Sequence, residues 1–144
     1  MTICPIVRAP DPRLHAICTD VVVNTPQTHR VAAHLIDTMY AKNGRGLAAP
    51  QIGFTVRMFV MRRGPEALVM CNPVIVRHGK EVVRKEERCL SIVGVSLWVD
   101  RYRIVTVEWY DLDGVKCAAK LTGDAARCAQ HEIDHLNGLL FNST

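Results

Sequence analysis

The sequence predicts an α+β fold in which a mostly antiparallel sheet packs around a central C-terminal helix. Apolar residues recur at helical spacing in 26–42 and 124–136, and they alternate with a period of two through much of 54–121. The loops between the predicted strands are short, which favours antiparallel pairing over parallel crossovers. With 144 residues, the chain suits one domain, 1–144, with one core.

The elements before the sheet are marked by prolines. Two prolines in 10–14 predict an extended or turn conformation without regular structure. Thr25 is placed to cap a helix that has Pro26 at its first position, and this helix is predicted to span 26–42. Asn43 and Gly44 end it.

The middle of the chain predicts strands, and the end predicts a second helix. The strands are expected at 54–61, 67–71, 74–78, 95–99, 103–110 and 115–121. A hairpin turn is expected at 111–114, with Gly114 supplying the positive φ. The second helix should begin near Asp124, whose carboxylate can cap free N–H groups, and should end at Asn137 and Gly138.

Composition and charge exclude several classes of protein. Hydrophobic residues make up 49% and charged residues 22%, as in globular chains, and the net charge is only +4. No basic run interleaved with aromatics predicts a specific nucleic-acid site, and no apolar run approaches a membrane span. Since no secretion signal is recognised, we expect the six cysteines to be reduced thiols in the cytoplasm.

The strongest chemical motif is His-Glu-Ile-Asp-His at 131–135, within the second helix. Residues four apart share a helical face, so His131 and His135 can bind one metal ion. Glu132 lies beside them and can take a proton from a water that the metal activates. The alternative is a polar helix face that carries two histidines by chance.

The third metal ligand must come from earlier in the chain, because 136–144 contain no His, Cys, Asp or Glu. This excludes the usual zincin proteases, whose third ligand lies downstream. Cys128 shares the helical face of His131, but a ligand set from one helix would be cramped, so a place in the pocket wall or core is favoured. Cys89 comes from a separate element and can complete a site that leaves one position for water.

A third patch, 44–53, is rich in glycine and alanine, which allow a backbone to approach a ligand closely. It lacks the Lys-Ser/Thr ending of a phosphate loop. Gln51 is an uncharged donor that can polarise a carbonyl. A helix end followed by a tight turn is the alternative for this patch.

The three patches together resemble the peptide deformylase family. Gly-x-Gly-Leu-Ala-Ala-x-Gln at 44–51 is similar to its first motif, Glu-Arg-Cys-Leu-Ser at 87–91 to most of its second, and Gln-His-Glu-x-Asp-His at 130–135 to its third. The resemblance runs from 10–14 to 138–141. It implies a hydrolase that removes the N-formyl group from the formyl-methionine of nascent polypeptides.

The resemblance also implies the roles of individual residues. Cys89, His131 and His135 would hold Fe²⁺, which Zn²⁺, Ni²⁺ or Co²⁺ can replace. Glu132 would be the general base and acid. The side chain of Gln51 and the backbone N–H of Leu90 would be the oxyanion donors. Gly44, Arg45, Gly46 and Cys128 would be substrate-binding positions, and Arg88, which departs from the family pattern, is a further predicted substrate-binding residue.

The partners expected from the resemblance are N-formyl-methionyl peptides, with a possible transient contact to the ribosome. We expect a monomer that needs neither nucleic acid nor membrane. The chain is expected to be a short form without the C-terminal helix extension of many bacterial members. The resemblance also pairs Glu87 with Arg101 to hold the Cys89 loop.

The sequence departs from the family pattern at several positions. Arg88 replaces a glycine, Val93 replaces a proline, and Ser96 stands where an arginine is common. We expect Arg88 to lie in extended backbone with its guanidinium at the cleft rim, where it can meet a carboxylate of the peptide. The alternative is a deformylase-like metalloprotein with altered or lost substrate activity because Arg88 obstructs the cleft.

Two rival classes remain. A structural metal module would usually have four protein ligands, whereas three ligands with Glu132 and Gln51 suit an open, catalytic site. A cysteine redox protein ranks last, because no Cys-x-x-Cys pair occurs.

Overall fold

A computed structural model describes residues 1–141 of the chain. The two α-helices are α1 (Pro26–Ala41) and α2 (Gly123–Leu136), and short 3₁₀ helices occur at Pro12–His15 and Ala49–Ile52. The strands are β1 (Gly46–Ala48), β2 (Met58–Arg63), β3 (Glu66–His78), β4 (Val82–Cys89), β5 (Ile92–Tyr102), β6 (Ile104–Tyr110) and β7 (Lys116–Thr122).

Both sheets are antiparallel. The larger has the order β1-β2-β3-β6-β7, and β4 and β5 form a separate hairpin. Helix α2 contacts strands of both sheets, including β1, β2, β5, β6 and β7, so it lies centrally. The predicted α+β class with an antiparallel sheet around the C-terminal helix is confirmed. Within 1–141, no helix is both long and apolar enough to cross a membrane.

The strand β2 is buried on both faces, because a helix covers each face. Met58 and Val60 belong to the core that includes α1. Phe59 and Met61 point the other way, into the core that includes α2. Successive side chains of a strand alternate between faces, so β2 needs a continuous apolar run.

The helix predictions are confirmed, although the predicted cap of α2 is wrong. The Thr25 hydroxyl accepts a hydrogen bond from Thr28 N at 3.2 Å and caps α1. Asp124 instead lies in the first turn of α2, and the residue that precedes this helix, Thr122, makes no side-chain cap bond. The Asp124 carboxylate accepts from Lys85 Nζ at 3.1 Å, and a charged donor is a stronger partner than a backbone N–H.

Two strand predictions change because of single residues with positive φ. The predicted strand 54–61 begins only at Met58, since Gly53, at φ 94°, ends the preceding 3₁₀ helix in the left-handed region. The predicted strands 67–71 and 74–78 are one strand, β3. Asn72, at φ 51°, forms a bulge there instead of a turn, and its side chain bonds the backbone of Val21.

Other segments are more regular than predicted. Strands β1 and β4 were not predicted, and β5 extends beyond the predicted 95–99 on both sides. The proline-containing 10–14 segment enters a 3₁₀ turn, since Pro12 is tolerated at the start of a helix and the Asp11 side chain accepts from Arg13 N at 2.9 Å. The predicted turn at 111–114 is confirmed, with Gly114 at φ 83°.

Candidate active site

One face of α2 and the end of β4 bring three potential metal ligands together. The Nε2 atoms of His131 and His135, one helical turn apart, are separated by 3.2 Å. Cys89 Sγ, from the last residue of β4, lies 3.5 Å from His135 Nε2. The three ligand atoms all lie within 4.8 Å of one another.

This donor set fits a divalent transition metal. Tetrahedral bonds of about 2.0–2.3 Å place neighbouring ligand atoms roughly 3.3–3.8 Å apart, close to the observed separations of two of the pairs. One thiolate and two imidazoles suit zinc or iron better than magnesium or calcium, which prefer oxygen. With three protein ligands, a fourth position would remain for a reactant.

The buried carboxylate of Glu87 orients His131. Glu87 Oε1 lies 2.9 Å from His131 Nδ1, and since an ionised carboxylate only accepts, Nδ1 carries a proton and Nε2, which faces His135, is the ring atom that could bind a metal. Arg101 donates to both carboxylate oxygens at 2.9 Å, and Arg127 adds a further hydrogen bond. The predicted pairing of Glu87 with Arg101 is confirmed. Burial opposes ionisation, but the hydrogen bonds from His131 and Arg101 hold the pKa of Glu87 well below its usual range.

The two histidines lie in different electrostatic surroundings. Burial alone would lower the pKa of His131, but hydrogen bonds with Cys89 and Glu87 outweigh it and raise that pKa to about 10. Burial, together with the positive charge of His131, holds the pKa of His135 well below its usual range. The pocket therefore accommodates a positive charge beside Cys89 and Glu87. A metal ion would supply this charge in place of the proton on His131 Nε2, while Nδ1 keeps its proton toward Glu87.

Glu132 lies buried beside the ligands. Within residues 1–141, its Oε1 atom has no hydrogen-bond partner. Burial raises the pKa of Glu132 to about 7, against the opposing positive charges of His131 and Arg101. A carboxyl group with such a pKa can both accept and return a proton near neutral pH.

Gln51 reaches the site from the 3₁₀ helix that follows β1. Its side-chain oxygen accepts from Ala48 N at 3.0 Å, and this fixes the amide nitrogen toward Cys89 and Ser91. That nitrogen lies 3.6 Å from Cys89 Sγ and donates to Ser91 Oγ at 3.1 Å. Leu90 and Ser91 form the turn between β4 and β5, so the Leu90 backbone lies next to Cys89.

Gly46 is in close contact with α2. A Cβ atom at Gly46 would lie 2.7 Å from Cys128 Sγ and 2.8 Å from Glu132 Oε2, closer than real contacts allow. Gly44 has somewhat more room, since a Cβ there would lie 3.2 Å from Leu90 Cδ1 and 3.3 Å from the Gly46 carbonyl oxygen. Burial raises the pKa of Cys128 well above its usual value, so its thiol is neutral at the pocket wall and lies outside the ligand cluster.

A cleft of about 920 Å³ opens onto these residues. Arg45 and Arg88 line it with exposed side chains. Arg45 Nη1 lies 3.4 Å from an Asp124 oxygen. Arg88 lies in β4 and its φ is not positive, so its backbone is the ordinary extended conformation that the sequence predicts.

Sequence reasoning missed two residues of the site. Ser91 accepts the Gln51 hydrogen bond, and Arg127 pairs with Glu87. Arg127 lies four residues before His131, so the two residues share a helical face. This spacing could have predicted that both contact the same carboxylate. Ser91 gave no comparable sign beyond its place next to Leu90.

Comparisons with known proteins agree with this site. A family model described as "Polypeptide deformylase" matches residues 3–144. The chain is 44% identical over 143 residues to a peptide deformylase of Desulforudis audaxviator, covering 98% of this chain and 92% of the relative.

Solved structures agree as well. The class I type b peptide deformylase of Acinetobacter baumannii superposes with a TM-score of 0.96 at 32% identity, with all of both chains covered. A structure of that same enzyme with Met-Ala-Ser bound superposes with a TM-score of 0.93 at 32% identity, covering 98% of this chain and 97% of that one. The chain therefore belongs to the peptide deformylase family, the hydrolases that remove the formyl group from nascent polypeptides.

Proposed function

We propose that this chain removes the formyl group at a ferrous site held by Cys89, His131 and His135. The observation that carries the proposal is the convergence of these three ligand atoms within 4.8 Å, beside a buried Glu132. Zn²⁺, Ni²⁺ or Co²⁺ can occupy the same ligands. A bound metal ion of this kind supplies Lewis-acid chemistry, which activates water and polarises a carbonyl.

The chain's own residues then position the substrate and move its proton. Gln51 Nε2 donates one N–H to Ser91 Oγ and directs the other at Cys89 Sγ. The N–H at Cys89 is a long contact to sulfur, and it turns to the formyl oxygen when substrate binds, so that with the Leu90 N–H it holds this oxygen as it becomes negative. One such donor is typically worth about 2.7–4 kcal/mol of transition-state stabilisation. Glu132 accepts the proton of the attacking water and passes it to the departing amine of methionine.

The peptide backbone binds along β1. This strand pairs only with β2 in its sheet, so its other edge can accept an extended peptide as an added strand. Gly46 lies in β1 and lets the peptide approach Glu132, and Gly44 and Arg45 precede it at the cleft rim. Cys128 walls the pocket for the methionine side chain. The Met-Ala-Ser held by the Acinetobacter baumannii enzyme supports a peptide in this cleft.

The substrates are N-formyl-methionyl peptides, and residues 1–144 act as one catalytic domain. We place the protein in the cytoplasm as a monomer that meets nascent chains in transient contact with the ribosome. Size-exclusion chromatography with light scattering tests the monomer, and co-sedimentation with ribosomes tests the contact.

The deciding experiment is formate release from formyl-Met-Ala-Ser by protein purified anaerobically with Fe²⁺. Turnover that disappears with a chelator and returns with Fe²⁺ is expected. A protein that holds iron but releases no formate would contradict the proposal and support a deformylase-like protein that has lost its activity.

A further inference from the structure

Arg88 is a cleft residue without an ionic partner in the described part of the chain. It lies directly opposite Ser96 in the β4–β5 ladder, and both residues line the cleft. Its side chain is exposed, and it forms no ion pair within residues 1–141. Because Arg88 is next to Cys89 and lines the same cleft, its long cationic side chain is within reach of a bound peptide that extends from the metal ligands along the cleft.

The other charges of the cleft leave it positive near its mouth. Arg8 and Lys42 also line the cleft, are exposed, and have no ion-pair partner in the described part of the chain. They come from the N-terminal segment and the end of α1, so three different elements each contribute one cation to the cleft lining.

The acidic residues of the cleft do not neutralise these three cations. Asp124 is paired with Lys85 and Arg45. Glu87 is buried in its own ion pairs, and Glu132 is buried beside the ligands. This leaves Glu86, which is exposed on β4 and forms no ion pair, as the one free carboxylate against three free cations among the described lining residues.

We propose that Arg88 sets a substrate preference, contacting an acidic side chain in the first residues after the formyl-methionine. The proposal rests on the proposed function and names its substrate class: formyl-Met peptides with Asp or Glu near the cleavage site. Arg88 forms an ion pair with this acidic side chain, and Arg8 and Lys42 add to the positive potential at the opening.

The test compares kcat/KM for peptide pairs that differ in one charge, formyl-Met-Glu-Ala-amide with formyl-Met-Gln-Ala-amide and formyl-Met-Ala-Glu-amide with formyl-Met-Ala-Gln-amide. The amides remove the terminal carboxylate, so only a side chain can supply the charge. An exposed ion pair predicts an acidic-to-neutral ratio of about two to five at low salt for one of the pairs. The ratio should shrink toward one at high salt.

Charge variants assign the preference to Arg88. Arg88→Gln should bring the ratio close to one, and Arg88→Glu should reverse it. The matched control is Arg84→Gln, because Arg84 is exposed on the same face of β4 but does not line the cleft, and it should keep the ratio. The double variant Arg88→Gln/Ser96→Arg places a positive charge on β5 directly opposite position 88, and its acidic-to-neutral ratio should again exceed one.

The affinity for the deformylated products is a second measure of the preference. Calorimetry with Met-Glu-Ala-amide and Met-Gln-Ala-amide should show the same preference and the same loss in Arg88→Gln. Equal kcat/KM values for both members of each pair in the unmodified protein, or an undiminished ratio in Arg88→Gln, would overturn the proposal while leaving deformylation intact. A protein that deformylates none of the four peptides would instead contradict the proposed function, and the product-binding ratio would then test the role of Arg88 separately.

Discussion

At the scale of single residues, the two cysteines of the site, Cys89 and Cys128, lie in different environments. Cys89 lies beside two imidazoles and the Gln51 amide, whereas Cys128 lies against Gly46 with a raised pKa that keeps its thiol neutral. A neutral thiol is a poor metal ligand, since the thiolate is the form that binds. The two cysteines that the sequence offers as third ligand are therefore chemically distinct in the structure.

Cys89→Ala should abolish tight metal binding, because only two imidazoles would remain. Cys128→Ala is the matched control and should keep about one metal per chain. The measurement is metal content by mass spectrometry after gel filtration, together with far-UV circular dichroism to verify folding. Full occupancy in Cys89→Ala would contradict the assigned ligand set.

Glu132→Gln should retain the metal and the fold but lose about 10²–10⁴-fold in kcat, the range that general acid–base catalysis contributes. The amide is nearly isosteric with the carboxyl group but cannot carry the proton. Formate release and metal content measured on the same preparation check this. Turnover near the unmodified rate would exclude Glu132 as the base.

At the scale of elements, the β4–β5 hairpin is held to α2 through Glu87. This carboxylate of β4 receives Arg101 from β5 and both His131 and Arg127 from α2, and Arg101 also bonds Asp134. Among residues 1–141 the hairpin forms no ladder with the larger sheet. The Glu87 contacts, together with the hydrogen bonds of Arg127 and Gln130 to the hairpin backbone, therefore help to position Cys89 opposite the histidines.

Glu87→Gln should weaken metal affinity about 10–100-fold, the usual cost of removing a partner that orients a ligating histidine. The neutral amide can no longer balance Arg101 and Arg127. Glu86→Gln is the control, because Glu86 is the exposed neighbour on the opposite face of β4 and forms no ion pair among residues 1–141. Competition with a chromophoric chelator measures both; equal affinities in the two variants would show that Glu87 does not act through His131.

The elements also show how far the sequence could predict this protein. Periodicity was enough for α1, α2 and β6, Thr25 was correctly predicted as the cap of α1, and the three motifs named every residue of the ligand cluster. Strand β4 was not predicted because residues 84–88 are all charged and show no apolar alternation. Its pairing with β5 and its ion pairs stabilise it instead.

The remaining differences depend on long-range contacts. Asn72 keeps β3 continuous as a bulge because its side chain bonds the backbone of Val21, 51 residues away. Gly46 forms a short strand because β2 pairs with it and α2 packs against it. Neither partner can be identified from local propensity, which describes only neighbouring residues.

At the scale of the whole molecule, β2 joins the two cores. Phe59 is fully buried on the α2 side, and its neighbour Val60 is fully buried on the α1 side. A cavity at either position affects packing directly behind the site, since β1 pairs with β2 and carries Gly46.

Phe59→Ala should lower the free energy of unfolding by about 3–5 kcal/mol, the typical cost of removing a fully buried phenylalanine side chain. Val76→Ala is the control, because Val76 lies 46% exposed on β3, and the change should stay within about 0.5 kcal/mol. Chemical denaturation of both variants measures the difference. A loss below 1 kcal/mol in Phe59→Ala would show that this core collapses readily to fill the space.

The burial of β2 between two helices also has a consequence for local opening. Its central amides have no route to solvent that leaves either core intact, so hydrogen exchange there requires unfolding of the whole protein. The β4–β5 hairpin is held to α2 by side-chain hydrogen bonds instead of a strand ladder, so we expect it to open while the larger sheet persists and its amides to exchange sooner. Protection at Val60 thus reports global stability, and protection at Lys85 reports how firmly the hairpin keeps Cys89 in place.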